Sequence, residues 1–301
     1  MNDSPISELP AGTKVLIFTC DEFGECHSSN AAIVEAMEKG LGIRKYAVGA
    51  TIMMPAPWVP EAIDYALSHP KADVGVHLMI GDIHKPMKCR PLCDKREVPG
   101  LYSPEGYSWG SSAQAWEHSN EKEVYKECRA QIEMALGLGV DVTHIDGHGG
   151  FQGGNYAAYS RVCGALAEEF RLPLRMQPRW RYQEKGAEGF RDQVLSRGVI
   201  VCDDDTGGSR LRKSPGESFK EFYLRRLREL SPGLTDLYVH PSVDSSELRA
   251  LLGSRAQGRV EQYHLLVHDQ DFSEAVREAE VCIVNWRDVR ELGRSGSSWH
   301  L

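Results

Sequence analysis

The chain alternates short apolar, β-branched runs with longer stretches whose apolar positions recur at helical spacing. Residues 14–20 (KVLIFTC) form a nearly continuous apolar run, the pattern of a strand buried on both faces. Further runs predict strands at 47–53, 73–80, 141–146, 172–176, 198–202, 235–240 and 281–286. Between them the spacing predicts helices near 60–68, 121–136, 156–170, 218–230 and 273–280. Another is expected over 31–40, entered through Ser29 and Asn30 and closed by Gly40. Strands separated by helices or long loops require parallel pairing with right-handed crossovers, in a doubly wound sheet or a barrel. The expected fold is α/β: a single-domain (β/α) barrel, regular or distorted, with parallel strands and long β-to-α loops. It should occupy residues 14–290, with tails at 1–13 and 291–301. At 301 residues the chain suits such a barrel, which typically needs ~250.

Two stretches break the rhythm. Residues 81–119 are rich in Pro, Gly and aromatics (Tyr102, Tyr107, Trp109, Trp116) and show neither period. A shorter basic-aromatic loop, QPRWRY at 177–182, follows the fifth strand. Long loops in compact domains are usually functional, so each is expected either to form a surface or subunit contact, suiting a homodimer, or to touch substrate.

Composition narrows the function classes. With 41% hydrophobic and 26% charged residues the chain can bury a full core. Its 43 acidic against 35 basic residues give a net charge of −8, which argues against a nucleic-acid partner, since phosphate neutralisation dominates that binding. No apolar run approaches the ~20 residues that span a bilayer, so no membrane partner is expected. Residues 1–13 lack the basic and apolar regions of a secretory leader, and the eight cysteines are expected to be reduced thiols in a cytoplasmic protein. Cys89 and Cys93 lack a second Cys or His pair at finger spacing and read as structural.

Candidate chemistry gathers at strand C-termini, where parallel α/β folds build their active sites. The first strand ends in Asp21-Glu22-Phe23-Gly24, the third carries His77, the fourth reads THIDGHGG, and the seventh ends in His240-Pro241. Residues 144, 146 and 148 alternate along an extended chain and so share a face. Taken singly, Asp21-Glu22 also suits a solvated turn and His77 a buried core histidine. His27, His69, His84, His118, His264, His268 and His300 fit no constellation.

These segments, CDEFG, GVHL, THIDGH and VHPS in that order, resemble the YdjC/ChbG-like carbohydrate deacetylases, relatives of the polysaccharide deacetylases. The resemblance extends to RVEQYHLL and IVNWRDV near the C-terminus, and so runs from about residue 14 to 290. It implies a hydrolase that removes an N-acetyl group from an amino sugar or short oligosaccharide, a small carbohydrate being the partner. Carried over residue by residue, it implies Glu22, His77 and His148 as ligands of one divalent metal, magnesium or zinc foremost. It implies Asp21 as catalytic base and His240 as acid. Asp146 would orient a ligand imidazole, and Arg175 would fix Asp21 or an anionic substrate. Two features depart from the family pattern. Glu22 stands where the family has a second Asp, shifting the carboxylate by ~1.5 Å unless the backbone compensates. The family's His-rich continuation after His148 is here Gly-Gly-Phe-Gln. Two rivals share these residues: a metal-dependent barrel aldolase or isomerase acting on a sugar derivative, and a sugar-binding relative whose metal site Glu22 has degraded.

Overall fold

The computed structural model describes residues 8–82, 84, 86–149, 151, 153–205 and 213–295. His300, Gly150, Gln152 and most of both expected tails lie outside the described residues. The strands are β1 (Lys14–Phe23), β2 (Val48–Ile52), β3 (Val74–Leu78), β4 (Ile145–Gly147), β5 (Asp204–Asp205), β6 (Gly233–Val239) and β7 (Cys282–Ile283). All pair in parallel, in the order β4-β3-β2-β1-β6-β5, while β7 pairs with the start of β1. Isolated parallel bridges join Ile145 to Leu174 and Leu174 to Val201, passing the pairing from β4 back towards β5. The sheet thereby curls into a distorted (β/α) barrel of one α/β domain.

Register decides which residues reach the barrel interior. Along β1, Leu16, Phe18 and Cys20 join the main core under the helices, whereas Thr19 and Asp21 make polar contacts inside. The same alternation sends Thr51, His77, Asp146 and Asp236 inward from β2, β3, β4 and β6. Beneath this polar layer a smaller core of Val15, Ile17, Leu234, Val284 and Trp286 closes the barrel floor. Trp286 stacks on His144 at 4.8 Å, and its indole N–H donates to Thr19 Oγ1 at 3.1 Å. Gly75 makes the approach possible: a Cβ there would lie 2.6 Å from the His144 ring.

Several predicted elements change. The strands expected at 172–176 and 198–202 shrink to the bridges at Leu174 and Val201, and Pro173 can contribute only its carbonyl, which accepts from the Ile145 N–H. The last strand stops at Ile283 because Asn285 and Asp288 form a reciprocal capping box that starts α12 (Trp286–Arg294). The first helix, α1 (His27–Lys39), begins earlier than expected, capped by Cys26 rather than through Ser29 and Asn30. Asn30 instead accepts the Gly24 N–H at 2.7 Å and donates to the Trp58 carbonyl and to Glu61, tying down the turn after Asp21-Glu22. Gly40 closes α1 in the left-handed conformation, as predicted.

The predicted helices near 60–68, 121–136 and 156–170 form as α2 (Val59–Ser68), α4 (Glu121–Gly137) and α5 (Tyr156–Phe170). Residues 81–119 are not structureless: they hold α3 (Ser112–His118), capped by Ser111. The 177–182 stretch enters α6 (Arg179–Glu184), followed by α7 (Glu188–Ser196). The remaining helices are α8 (Phe219–Arg228), α9 (Ser246–Leu252), α10 (Ala256–Val267) and α11 (Gln270–Glu278).

Candidate active site

Asp21 lies at the end of β1 where the β1–β2 register shifts between Cys20 and Phe23. Its carboxylate receives both arms of Arg175, Nη1 to Oδ1 at 2.9 Å and Nη2 to Oδ2 at 2.7 Å. The same guanidinium reaches Asp146 Oδ2 at 2.5 Å and Asp236 Oδ2 at 3.3 Å. One buried cation therefore organises three buried carboxylates. Asp146 Oδ1 in turn lies 2.6 Å from His77 Nδ1, which leaves His77 Nε2 facing Asp21 Oδ2 at 4.0 Å.

Glu22 follows in the left-handed region, at φ 70, which a glutamate adopts only where its surroundings enforce it. The backbone thus departs from a regular strand at the residue whose side chain is one methylene longer than the family pattern. Glu22 Oε2 is held by Arg259 of α10, while Oε1 faces His148 Nδ1 at 3.5 Å and His240 Nε2 at 3.9 Å. His240 Nε2 also stands 3.8 Å from Asp21 Oδ2. The rings of His77 and His148 meet edge to face, their centroids 5.2 Å apart.

Burial sets the electrostatics. It drives the His148 imidazole down to about 3, against the pull of Glu22, so this ring is neutral at physiological pH. Neither of its nitrogens has a hydrogen-bond partner, a rare state for a buried imidazole and one that suits a ligand. Burial would also lower His77, but the carboxylates of Asp146 and Asp21 raise it. For Glu22, burial opposes ionisation, yet Arg259, His240 and His148 outweigh it and hold the carboxyl well below its usual range. Asp236 is pushed up to about 7 by burial, which Arg175 only partly offsets.

Asp21, Glu22, Arg175 and His240 line a cavity of about 330 Å³ whose walls add His84, Tyr159, Gln177, Tyr238, Arg255 and Arg259. Asp21, His77 and Asp146 can each bring a ligand atom within 4.8 Å of the others, as can Glu22, Glu25 and His84. A guanidinium already sits between the carboxylates of each group, Arg175 in the first and Arg259 in the second. Glu22, His77 and His148 do not all bring a ligand atom within 4.8 Å of one another. His148, with both nitrogens unbonded, and Glu22 Oε1 beside it at 3.5 Å are nonetheless donor types that a divalent cation takes.

The sequence matches the model of the YdjC-like protein family over residues 15–291. The chain belongs to the YdjC-like family. Carbohydrate deacetylases of Thermoanaerobacter pseudethanolicus and Enterococcus faecalis are 24% and 26% identical to it, covering 91% and 92% of this chain and 98% of each relative. A crystal structure from Enterococcus faecalis, of a protein named for cellobiose-phosphate cleavage, superposes with a TM-score of 0.75 at 25% identity. It covers 92% of this chain and 99% of that one.

In this YdjC-like chain the structure brings Asp21, Glu22, His77, Asp146, His148, Arg175 and His240 together. His144, which shares the inner face with Asp146 and His148, lies one layer deeper against Trp286. Of residues 81–119, His84 reaches the cavity wall, and none of Tyr102, Tyr107, Trp109 or Trp116 does. Trp109 instead stacks on His118 at 3.8 Å, and Trp116 donates to the Phe151 carbonyl at 2.7 Å. Tyr159 and Tyr238 offer the aromatic surface, and Gln177 alone of the 177–182 stretch reaches the cavity. Sequence reasoning missed Arg259, Gln262, Asp236 and His84. His84, which fits no constellation in the sequence, is buried, 2.9 Å from Glu25. Gln262 accepts the His240 N–H at 2.9 Å, a contact for which its place in a helix 22 residues downstream gave no signal.

Proposed function

We propose that this protein is a metal-dependent carbohydrate deacetylase that hydrolyses the N-acetyl group of an amino sugar or short oligosaccharide. The observation that carries the reading is His148, neutral and fully buried with both nitrogens unpartnered, beside a carboxylate and a second imidazole. The carbohydrate deacetylases among its relatives support the same reading. Glu22, His77 and His148 would hold one divalent ion, magnesium or zinc. When bound, that ion supplies Lewis-acid charge at the amide carbonyl.

The chain's own groups carry the protons. Asp21 is the base: Arg175 fixes its plane from below, and its Oδ2 takes the proton of the attacking water. Asp146 holds His77 Nδ1, so that Nε2 keeps its lone pair towards the site. His240 Nε2, in the cavity wall 3.8 Å from Asp21 Oδ2, donates to the departing amine, which leaves poorly unless protonated. Burial lowers the His240 imidazole, so it rests neutral, and the proton it donates is the one Asp21 has taken from the water, passed on from Asp21 Oδ2 3.8 Å away. Water and amide thus become acetate and the free amino sugar. Tyr159 and Tyr238 give the sugar its apolar walls. The cytoplasm is the proposed compartment, supported by eight cysteines that are all unpaired.

An acetate-release screen on N-acetylated mono- and oligosaccharides, with metal content measured on the same protein, tests this reading. Acetate released in proportion to bound metal is expected. Carbon–carbon cleavage products would instead support the aldolase, and metal-independent sugar binding without turnover the degraded relative.

A further inference from the structure

We infer that Arg259 is a positioning residue for Glu22: it engages one carboxylate oxygen and leaves the other turned towards His148 and His240. This rests on the reading of Glu22 as a metal donor. Glutamate has one more rotatable bond than aspartate, so the same carboxylate position needs an additional anchor to be held in one direction. Arg259 supplies it. Its side chain is 11% exposed, and Nη1 contacts Glu22 Oε2 directly while lying 3.6 Å from Glu25 Oε2. Glu22 Oε1 is left 3.5 Å from His148 Nδ1 and 3.9 Å from His240 Nε2.

The clamp is itself held in register with the rest of the site. The Arg259 carbonyl accepts the Ser242 N–H at 3.2 Å, and Gln262 in the same helix accepts the His240 N–H. Helix α10 therefore carries both the anchor of Glu22 and the support of His240. Charge does not cancel the donor, because Glu22 and Glu25 together outnumber the one guanidinium between them. Two opposing effects follow from a cation at this place. It orients the donor, which strengthens metal binding, and it repels a second cation, which weakens it. The shared carboxylate, with one oxygen clamped and one directed inward, points to orientation as the larger effect.

A mutant cycle on the purified full chain, stripped and titrated with zinc ion against a competing chelator, separates the two. Arg259→Gln should weaken zinc binding by ~10–100-fold, the usual cost of losing a group that orients a ligand. Arg259→Lys should lose less. In a Glu22→Asp background, where the shorter side chain falls short of the clamp, Arg259→Gln should change zinc affinity less than ~3-fold. Equal losses in both backgrounds would reduce Arg259 to a structural residue, and tighter binding in Arg259→Gln would make it a competitor; either overturns the inference. Glu22→Gln binding zinc as tightly as wild type would remove Glu22 from the donor set, and with it both the site reading and this inference. Thermal melts check folding, and Arg259→Lys completes the cycle should Arg259→Gln fail to fold.

Discussion

His148 has no hydrogen-bond partner to lose, so its replacement by Ala removes a nitrogen donor while breaking no protein contact of that kind. His148→Ala and His77→Ala are each expected to abolish metal retention while the chain stays folded, as judged by elemental analysis and circular dichroism. Full metal content in both variants would exclude them as ligands. Asp21→Asn should keep its metal yet lose turnover by ~10²–10⁴-fold, because an amide accepts no proton. Loss of metal in that variant would show that Asp21 and Glu22 have exchanged roles. The residues legible beforehand are those carried by local patterns, such as the 144-146-148 alternation and the Asp21-Glu22 pair that ends an apolar strand. Arg259, His84 and Asp236 were not legible, because each is a lone charged residue or histidine that meets its partner only through the fold. Arg259 lies 237 residues from Glu22 along the chain.

At the scale of elements, the long strands and helices were legible because their apolar periodicity is sustained, as in β1, α4 and α5. The strands at 172–176 and 198–202 were overestimated, since an apolar run does not reveal that it bridges its neighbour only once. In residues 81–119 Trp109 and Trp116 looked free to meet sugars, but their indole N–H groups donate to carbonyls of the chain itself. The interior layer makes its own predictions. Gly75→Ala would press on the ring of His144 at 2.6 Å and on its carbonyl at 2.7 Å, and should destabilise by ~1–3 kcal/mol in denaturant unfolding. Asp236 titrates at about 7 when folded, above the ~3.9 of an unfolded aspartate. The folded chain thus holds this proton more tightly, and the cost of losing it is absent below pH ~4 and complete above ~7. Asp73, pushed up to about 6 by burial, acts in the same direction. The depressed imidazoles of His148 and His240 act in the opposite direction over much of this range, so the Asp236 contribution is read by difference. Between pH ~4 and ~7 thermal midpoints of metal-free Asp236→Asn should rise more, or fall less, with pH than those of the metal-free wild type. An unchanged slope would show that Asp236 is not the titrating group.

The described residues form a parallel barrel with an apolar floor plugged by Trp286, a polar layer to which β3 and β4 give His77 and Asp146, and a polar mouth that gathers side chains from β1, β6 and α10. Family membership and fold account for that division of labour, in which floor and outer face give stability and the strand C-termini carry function. No helix among the described residues is long and apolar enough to cross a membrane. The central claim is that a bound divalent ion and Asp21 together release acetate from an N-acetylated sugar. Its most direct test is acetate release by wild-type and Asp21→Asn protein, each stripped with chelator and then restored with magnesium or zinc. Wild type should lose activity on stripping and regain it on restoration, and Asp21→Asn should regain metal without activity. Acetate release that survives complete metal removal, or an Asp21→Asn variant as fast as wild type, would contradict the claim.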